Sequence, residues 1–417
     1  MIRPETEMKD SGVQWIGDIP SDWNIKPLYA CLDEINQKNN PVVTTNILSL
    51  TNTDGVIPYS ERGNQGNKSK ENFEEYKVVY PNTIVANSMN ILIGSVGLSK
   101  YEGCVSPVYY VYMAKPQVDI RYMNYLFQME PFQKRLRQFA NGILEIRLRV
   151  SSHDILHQKV AVPDYDEQQT IADYLDETCS KIDEIIAEAK ASIKEYEKLK
   201  QSTIDENILG YDSIHIKLRQ LGSLKNGLNF SHSDDVANIK FLGVGCFKDN
   251  MILSEADDFV DEHIDFEISE EYLLSNGDIV FVRSNGSKEL VGRSIMVENI
   301  DYPVTFSGFC IRFRNMHAEL VDNRFLLYYF RTTHFKQSLL KYSNDSTNIN
   351  NLNQEMLNAI RINAPVIDEQ KLLVKKMEER VFVIDSLIAE KESLINDLEA
   401  YKKSLIFEVV TGKRRVV

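Results

Sequence analysis

Residues 163–210 and 365–412 are one passage written twice, aligned without a gap at a constant offset of 202 (365 − 163 = 202). Of the 48 aligned positions (210 − 163 + 1 = 48), 17 are identical. They include Pro163/Pro365, Asp166-Glu167-Gln168/Asp368-Glu369-Gln370, Ile182-Asp183/Ile384-Asp385 and Ile186-Ala187-Glu188/Ile388-Ala389-Glu390. A repeat constrains architecture more than any local motif, because it shows what the chain builds more than once. Both copies read as helix. The prolines end a strand-like run, and the acidic residues that follow suit a helix N-terminus. Apolar residues then recur at three- and four-residue steps: Ile171, Leu175, Ile182, Ile186, Ala189, Ile193 and Tyr196, against Leu373, Met377, Val381, Ile384, Ile388, Ile395 and Leu398. Neither copy contains Gly or Pro again until Gly210 and Gly412, where a C-cap would fall. A helix of about 40 residues spans about 60 Å, too long to lie inside a domain of ordinary size. Two such helices bury their stripes most economically on each other. The expectation is an antiparallel coiled coil about an internal pseudo-twofold axis.

Two stretches separate the helices, residues 25–162 and 211–364, alike in length and poorly matched in sequence. Each opens on a strand-like run (Ile25-Lys26, Ile216-Lys217) and continues with a turn, a strand and a polar loop (Pro81 to Ser88, Asn276 to Ser284). A strand pair follows in each, Cys104 to Met113 and Val304 to Phe313. Next comes one amphipathic helix, carrying Met123, Leu126, Phe127, Phe132 and Leu136, or Phe325, Leu326, Tyr329, Phe335 and Leu339. A polar loop and a short strand lead into the repeat's proline. The fold class is α+β: two globular domains alternating with two long helices. The expected boundaries are 1–24 for a terminal segment that completes the repeat, 25–162 and 211–364 for the domains, 163–210 for the first helix, and 365–417 for the second helix with its tail.

The net charge of −14 argues at first against a nucleic-acid partner. Most of it sits on the helices, which hold 13 acidic and 5 basic residues in the first copy and 10 and 7 in the second. The other 321 residues carry only −3 (−14 + 8 + 3), which leaves room for a basic face on each domain. Their loops are rich in side chains suited to DNA. Arg62, Asn64 and Lys68 lie in a glycine-punctuated basic loop, and Asn87, Asn90, Lys100, Arg147 and Arg149 follow. The second domain offers Arg283, Asn285, Lys288, Arg293, Asn348 and Asn350. Lys and Arg neutralise phosphates, while Arg and Asn read guanine and adenine edges with paired hydrogen bonds. Polar turns of this composition are also ordinary solvated loops.

Other chemistry is missing from the sequence. There is no GxxxxGK[ST] loop, no HExxH and no other metal-ligand spacing, and Gly243-Val244-Gly245 is a lone GxG to which no cofactor is assigned. His153 and His157, four apart, read as surface histidines. Five cysteines without a CxxC pair read as reduced, buried thiols. With no secretory pattern in Met1 to Ser11 and no long apolar run, a cytoplasmic location is expected.

Taken together, these features resemble the specificity subunits of type I restriction–modification systems. The twin Pro-x-x-Asp-Glu-Gln helix entries carry the resemblance, with the opening Trp15-Ile16-Gly17-Asp18-Ile19-Pro20-Ser21-Asp22-Trp23 and the closing Val410-Thr411-Gly412-Lys413. The Trp-containing opening has no counterpart before the second domain. The resemblance implies a non-catalytic subunit that binds double-stranded DNA through two target recognition domains, each reading half of a bipartite asymmetric site, with the helices setting the gap. It implies two adenine-methyltransferase subunits and ATP-dependent motor–nuclease subunits as partners. S-adenosylmethionine, ATP and Mg would then sit on those partners, and no cofactor or metal on this chain. Two other readings remain open: a coiled-coil scaffold for two protein-binding modules, and an enzyme with an unfamiliar site.

Overall fold

The computed structural model describes residues 2–51, 55–62, 72–140, 148–211, 213–230, 236–248, 251–286, 290–341 and 351–416. The two copies of the repeat are helices over Tyr165–Ile208 and Ile367–Val410, the same positions within each copy. Each starts two residues after its proline, with two acidic residues in the first turn. The Asp164 carboxylate caps the first by accepting the Glu167 N–H at 2.8 Å. Val366 replaces it in the second copy, where its carbonyl takes the Glu369 and Gln370 N–H groups at 3.0 Å. Both helices end at a glycine in the left-handed region, Gly210 at φ +91° and Gly412 at φ +73°, a conformation that costs other residues a Cβ clash.

The chain divides into two compact units, Met1–Ala189 with Glu392–Val417, and Lys190–Lys391. In the first, a four-stranded antiparallel sheet runs Leu32–Glu34, Tyr109–Ala114, Ile84–Asn87, Val96–Leu98. In the second, a five-stranded sheet runs Gly222–Asn226, Cys310–Asn315, Ile279–Val282, Ser294–Val297, Ile252–Leu253. Its first four strands repeat the order of the first unit, and the fifth adds a parallel edge. Each unit also pairs its opening strand with its closing one: Asn24–Pro27 with Lys159–Val162, and Ile214–Lys217 with Arg361–Ala364. That pairing brings both ends of each globular region to the start of a long helix.

Two sequence expectations are corrected. The stretch Cys104 to Met113 holds two strands that do not pair with each other: Gly103–Val105 joins Lys77–Val79, and Tyr109–Ala114 joins the main sheet. Likewise Val304–Phe306 pairs in parallel with Ile239–Leu242 while Cys310–Asn315 enters the five-stranded sheet. Strand partners come from distant chain, which local alternation does not reveal. The single amphipathic helix is in each case two, Ile120–Gln128 with Glu130–Arg137 and Asn323–Tyr329 with Thr333–Leu340. Pro131 cannot continue a preceding helix, and in the second unit the Thr332 hydroxyl accepts the Phe335 N–H at 3.1 Å and starts a new one.

Within each unit the two long-helix segments run antiparallel. In the first, Lys402 reaches Asp183 at 2.6 Å, while the Tyr122 hydroxyl bridges the carbonyls of Ala161 and Val410, both at 2.9 Å. In the second, Lys200 reaches Asp385 at 2.7 Å, and Ile204 and Ile208 share a core with Val374, Met377 and Val381. Lys200 and Lys402 are the same position of the repeat, as are Asp183 and Asp385, so the repeat uses one ion pair twice.

The terminal segment belongs to the first unit. Trp23, 1% exposed, donates its indole N–H to Glu167 at 2.8 Å, and Arg3 reaches the same carboxylate at 2.6 Å. Lys413 donates to the Ile16 and Asp18 carbonyls, so chain start and chain end close on each other. All five cysteines are buried free thiols, and His153 and His157 stack at 3.9 Å between ring centroids.

Candidate nucleic-acid interface

In both units the main-sheet strand that carries the polar loop ends at an equivalent place, and a second loop returns to pin it. The Val150 N–H donates to the Ser88 carbonyl at 3.1 Å, and the Leu352 N–H to the Arg283 carbonyl at 2.8 Å. The polar turn after the strand and the segment before the closing helix therefore emerge side by side, once per unit. In the first unit this places exposed Asn90 and exposed Arg149 on neighbouring segments. In the second it places half-buried Arg283 and exposed Asn285 by the segment that holds Leu352.

The remaining expected residues divide by their surroundings. Asn87 is 6% exposed and its side-chain oxygen accepts the Met89 N–H at 3.0 Å, so its amide shapes the turn. Arg62 is half-buried, over the Tyr59 ring at 5.3 Å and 3.5 Å from the Ser49 hydroxyl. Arg283 is half-buried and reaches the Gly308 carbonyl at 3.4 Å, while half-buried Arg293 donates to the Lys248 carbonyl. Lys100 is exposed beyond the strand Val96–Leu98. Asn64, Lys68, Arg147, Lys288, Asn348 and Asn350 lie outside the described residues.

Basic side chains also gather where sequence reasoning did not look. Lys217, Lys341 and Arg361 line, with His215, His334 and Asn363, a polar cleft of about 640 Å³ beside the paired opening and closing strands of the second unit. No carboxylate is among the described residues that line it. The strand pairing brings His215 to Asn363 and Lys217 to Arg361, and the helix Thr333–Leu340 with its cap supplies His334 and Lys341. Elsewhere in the same unit Arg331 donates to the Ser294 carbonyl. Burial, and then the Arg293 charge, lower its pKa to about 10, so it stays a cation at neutral pH. Lys and Arg in a polar cleft suit phosphate, which carries position without base identity.

A duplication also escaped the sequence reading. Val118-Asp119-Ile120-Arg121-Tyr122-Met123-Asn124-Tyr125-Leu126-Phe127 aligns at an offset of 203 with Val321-Asp322-Asn323-Arg324-Phe325-Leu326-Leu327-Tyr328-Tyr329-Phe330 (321 − 118 = 203). Val, Asp, Arg, Tyr and Phe recur in register, a signal visible only once the helix is known to begin after the aspartate. Among the described residues no cluster of His, Cys, Asp or Glu is placed to hold a metal, and no helix is long and apolar enough to cross a membrane.

Residues 20–195 and 215–399 each match the family model of the type I restriction modification DNA specificity domain. The MjaVIII specificity subunit of Methanocaldococcus jannaschii, a type I restriction enzyme component, is 25% identical over 431 residues, spanning 95% of this chain and 94% of that protein. The EcoKI specificity subunit of Escherichia coli is 26% identical over 146 residues, 35% of this chain and 31% of that protein. A solved chain described for complex assembly and conformational transition of the type I R-M system shares the fold, with a TM-score of 0.72 at 13% identity over 95% of this chain and 99% of that one. The crystal structure of the HsdS subunit from Thermoanaerobacter tengcongensis aligns at a TM-score of 0.51 and 12% identity, covering 95% and 98%. With a recognition module matched in each half and the α+β fold shared along nearly the whole length, the chain belongs to the type I restriction–modification DNA specificity family.

Proposed function

We propose that each globular region, residues 25–162 and 211–364, is a target recognition domain that reads one half of a bipartite, asymmetric DNA site, and that the two long helices fix the gap between the halves. The carrying observation is the repeated convergence of two polar segments at one end of each main sheet, on domains whose boundaries meet the repeated helices. As a specificity subunit the chain is non-catalytic; its DNA and the other subunits of the system are its partners. The helices would dock two adenine-methyltransferase subunits, which bring S-adenosylmethionine, and motor–nuclease subunits would bring ATP and Mg. Asn90, Arg149, Asn285 and Lys100 are the exposed candidates for contacts, and the basic cleft at Lys217, Lys341 and Arg361 is suited to backbone phosphate.

The test is methylome sequencing of cells carrying the chain with its methyltransferase, against a strain lacking the chain. A two-part adenine-methylated motif with a fixed gap, lost on deletion, is expected. Exchange of residues 25–162 for another recognition domain then changes one half-site only. One added helical turn in each long helix, between Ala189 and Lys190 and between Lys391 and Glu392, adds about 5.4 Å. That lengthens the gap by about one to two base pairs at about 3.4 Å each. A methylome unchanged by deletion, with the methyltransferase complex formed, overturns the reading.

A further inference from the structure

Each recognition domain is fastened to its long helix by the same buried polar joint, built from the last residue of the Asp-Glu-Gln triplet and the duplicated Asp-x-Arg-x-x-x-Tyr segment. In the first unit, Gln168 is 1% exposed. Its side-chain oxygen accepts the Asp119 N–H at 3.0 Å, and its amide donates to the Pro163 carbonyl at 3.0 Å. Asp119 is the N-cap of Ile120–Gln128, holding the Arg121 N–H at 2.8 Å and its guanidinium at 2.8 Å. Arg121 then reaches the long helix at Asp173 (2.6 Å) and Asp176 (3.0 Å), and the Tyr125 hydroxyl donates to Asp176 at 2.7 Å. In the second unit, Gln370 is 0% exposed. It accepts the Asp322 N–H at 2.9 Å and donates to the Pro365 and Leu320 carbonyls at 2.8 and 3.0 Å. Asp322 caps Asn323–Tyr329, and Arg324 reaches Glu378 on the long helix at 3.1 Å and Glu298 at 2.8 Å. Glu378 stands where the first copy has Asp176, and Tyr328 lies near it, its phenol raised by burial and then by the Glu378 charge.

We infer that Gln168, Arg121 and Tyr125, with Gln370, Arg324 and Tyr328, are positioning residues that set the angle of each recognition domain on its helix and so the gap the protein accepts. This rests on the bipartite reading above and names the residues that enforce it. A buried amide bonded through both its oxygen and its nitrogen has one orientation, since any tilt breaks bonds to carbonyls and N–H groups in a buried site. The charged fork of Arg121 adds a second anchor on the next turns of the helix, so the joint resists rotation as well as separation. At about 25 Å from the joint, within the span of a domain this size, a tilt of roughly 8° moves a DNA-facing loop by about 3.4 Å, the rise of one base pair. A loosened joint therefore blurs the gap while leaving each domain's own reading face unchanged.

The experiment uses the full chain assembled with its methyltransferase subunits and a plasmid library in which the wild-type half-sites are separated by gaps varied one base pair at a time. Adenine methylation is read per site. Gln168→Leu is expected to keep both half-site sequences and to lower the ratio of methylation at the native gap to that at neighbouring gaps by about tenfold. Tyr125→Phe, which removes only one hydroxyl and spares folding, lowers the same ratio by a smaller factor, and Asp176→Glu, which copies the second unit, leaves it at the wild-type value. A ratio as sharp as wild type in both loosened variants overturns the inference. So does a changed base preference in either half-site, or a uniform loss of methylation in both variants that tracks a lowered melting temperature. A wild-type complex that methylates no two-part motif overturns the bipartite reading itself, before any variant is compared.

Discussion

The two C-cap glycines of the repeat are a matched pair in different surroundings, so they separate backbone strain from packing. Gly210 and Gly412 both lie in the left-handed region, at φ +91° and +73°. Alanine at either position forces an L-residue there, a cost of about 1–2 kcal/mol. At Gly210 a Cβ meets nothing within 4 Å, so strain is the whole cost. At Gly412 the same Cβ falls on the Pro20 ring and 3.1 Å from Cη2 of Trp23. Both residues are buried, and both carry rigid rings. Overpacking of that kind adds about 1–3 kcal/mol. Gly412→Ala is therefore expected to cost about 2–5 kcal/mol in total, against about 1–2 for Gly210→Ala. Urea unfolding followed by tryptophan fluorescence is the assay, because Trp15 and Trp23 are the only tryptophans and both lie in the first unit. Circular dichroism on the same samples follows both units. Equal losses in the two variants, or no fluorescence shift in Gly412→Ala, would refute the claim that the terminal segment packs over the second helix's end.

Trp23→Phe deletes one ring of the buried indole together with its hydrogen bond to the Glu167 carboxylate, so at least about 1.5–3 kcal/mol of first-unit stability is lost, read by the remaining Trp15 fluorescence and by circular dichroism. The ion pairs Lys200–Asp385 and Lys402–Asp183 are partly exposed, with side-chain exposures of 32% and 47% for the first and 26% and 58% for the second. Each contributes about 0.2–1 kcal/mol. Lys200→Asp lowers the melting temperature slightly and the double change with Asp385→Lys recovers it, whereas additivity in that cycle removes the pair from the account. The five thiols are all buried. Native protein should then react with a thiol reagent far more slowly than protein in denaturant, and fast stoichiometric labelling sinks that expectation. Burial raises Cys104 from 9.0 to about 11 and favours the neutral thiol in the folded state. Its contribution to stability is full below pH 9 and declines as pH rises toward 11, which unfolding midpoints at stepped pH would show.

The long helices were legible because they are periodic, duplicated and punctuated by proline and glycine, all local signals. Both closing strands and the second opening strand were legible for the same reason, since each abuts a repeat boundary. Sheet membership was not: Cys104 and Tyr112 sit eight residues apart in different sheets, and their partners lie at Val78 and Ile84. Asn87 shows why a polar loop residue is weak ground for a contact. Its amide satisfies its own turn at Met89, an interaction the sequence cannot distinguish from one with a base. Gln168 errs in the other direction. It read as part of a helix entry, and its burial under Asp119 depends on a residue 49 positions away.

The offset between equivalent positions shows where the two halves were free to diverge. The opening strands differ by 190 (214 − 24), the central strands by 195 (279 − 84) and the next pair by 198 (294 − 96). The strands that follow differ by 201 (313 − 112), the joint aspartates by 203 (322 − 119) and the closing strands and helices by 202 (364 − 162). Of the thirteen residues by which the offset grows (203 − 190 = 13), eleven enter between the opening strand and the last main-sheet strand (201 − 190 = 11) and two between that strand and the joint. From the joint to the end of the long helix the offset changes by one. Loop connections can absorb insertions at small entropic cost, because closing a longer loop is cheap. The Asp–Gln spacing differs by one residue between the units, 49 in the first and 48 in the second. Each Gln, however, stands five residues after the proline whose carbonyl it bonds, and an extra residue there would have to be looped out or break the joint. Sequence change is thus steered to the segments that emerge at the sheet ends and kept out of the connection that aims them. Grafting a foreign loop between two sheet strands should accordingly preserve the gap, whereas a single residue inserted between Val162 and Gln168 should degrade it even though it touches no candidate DNA contact.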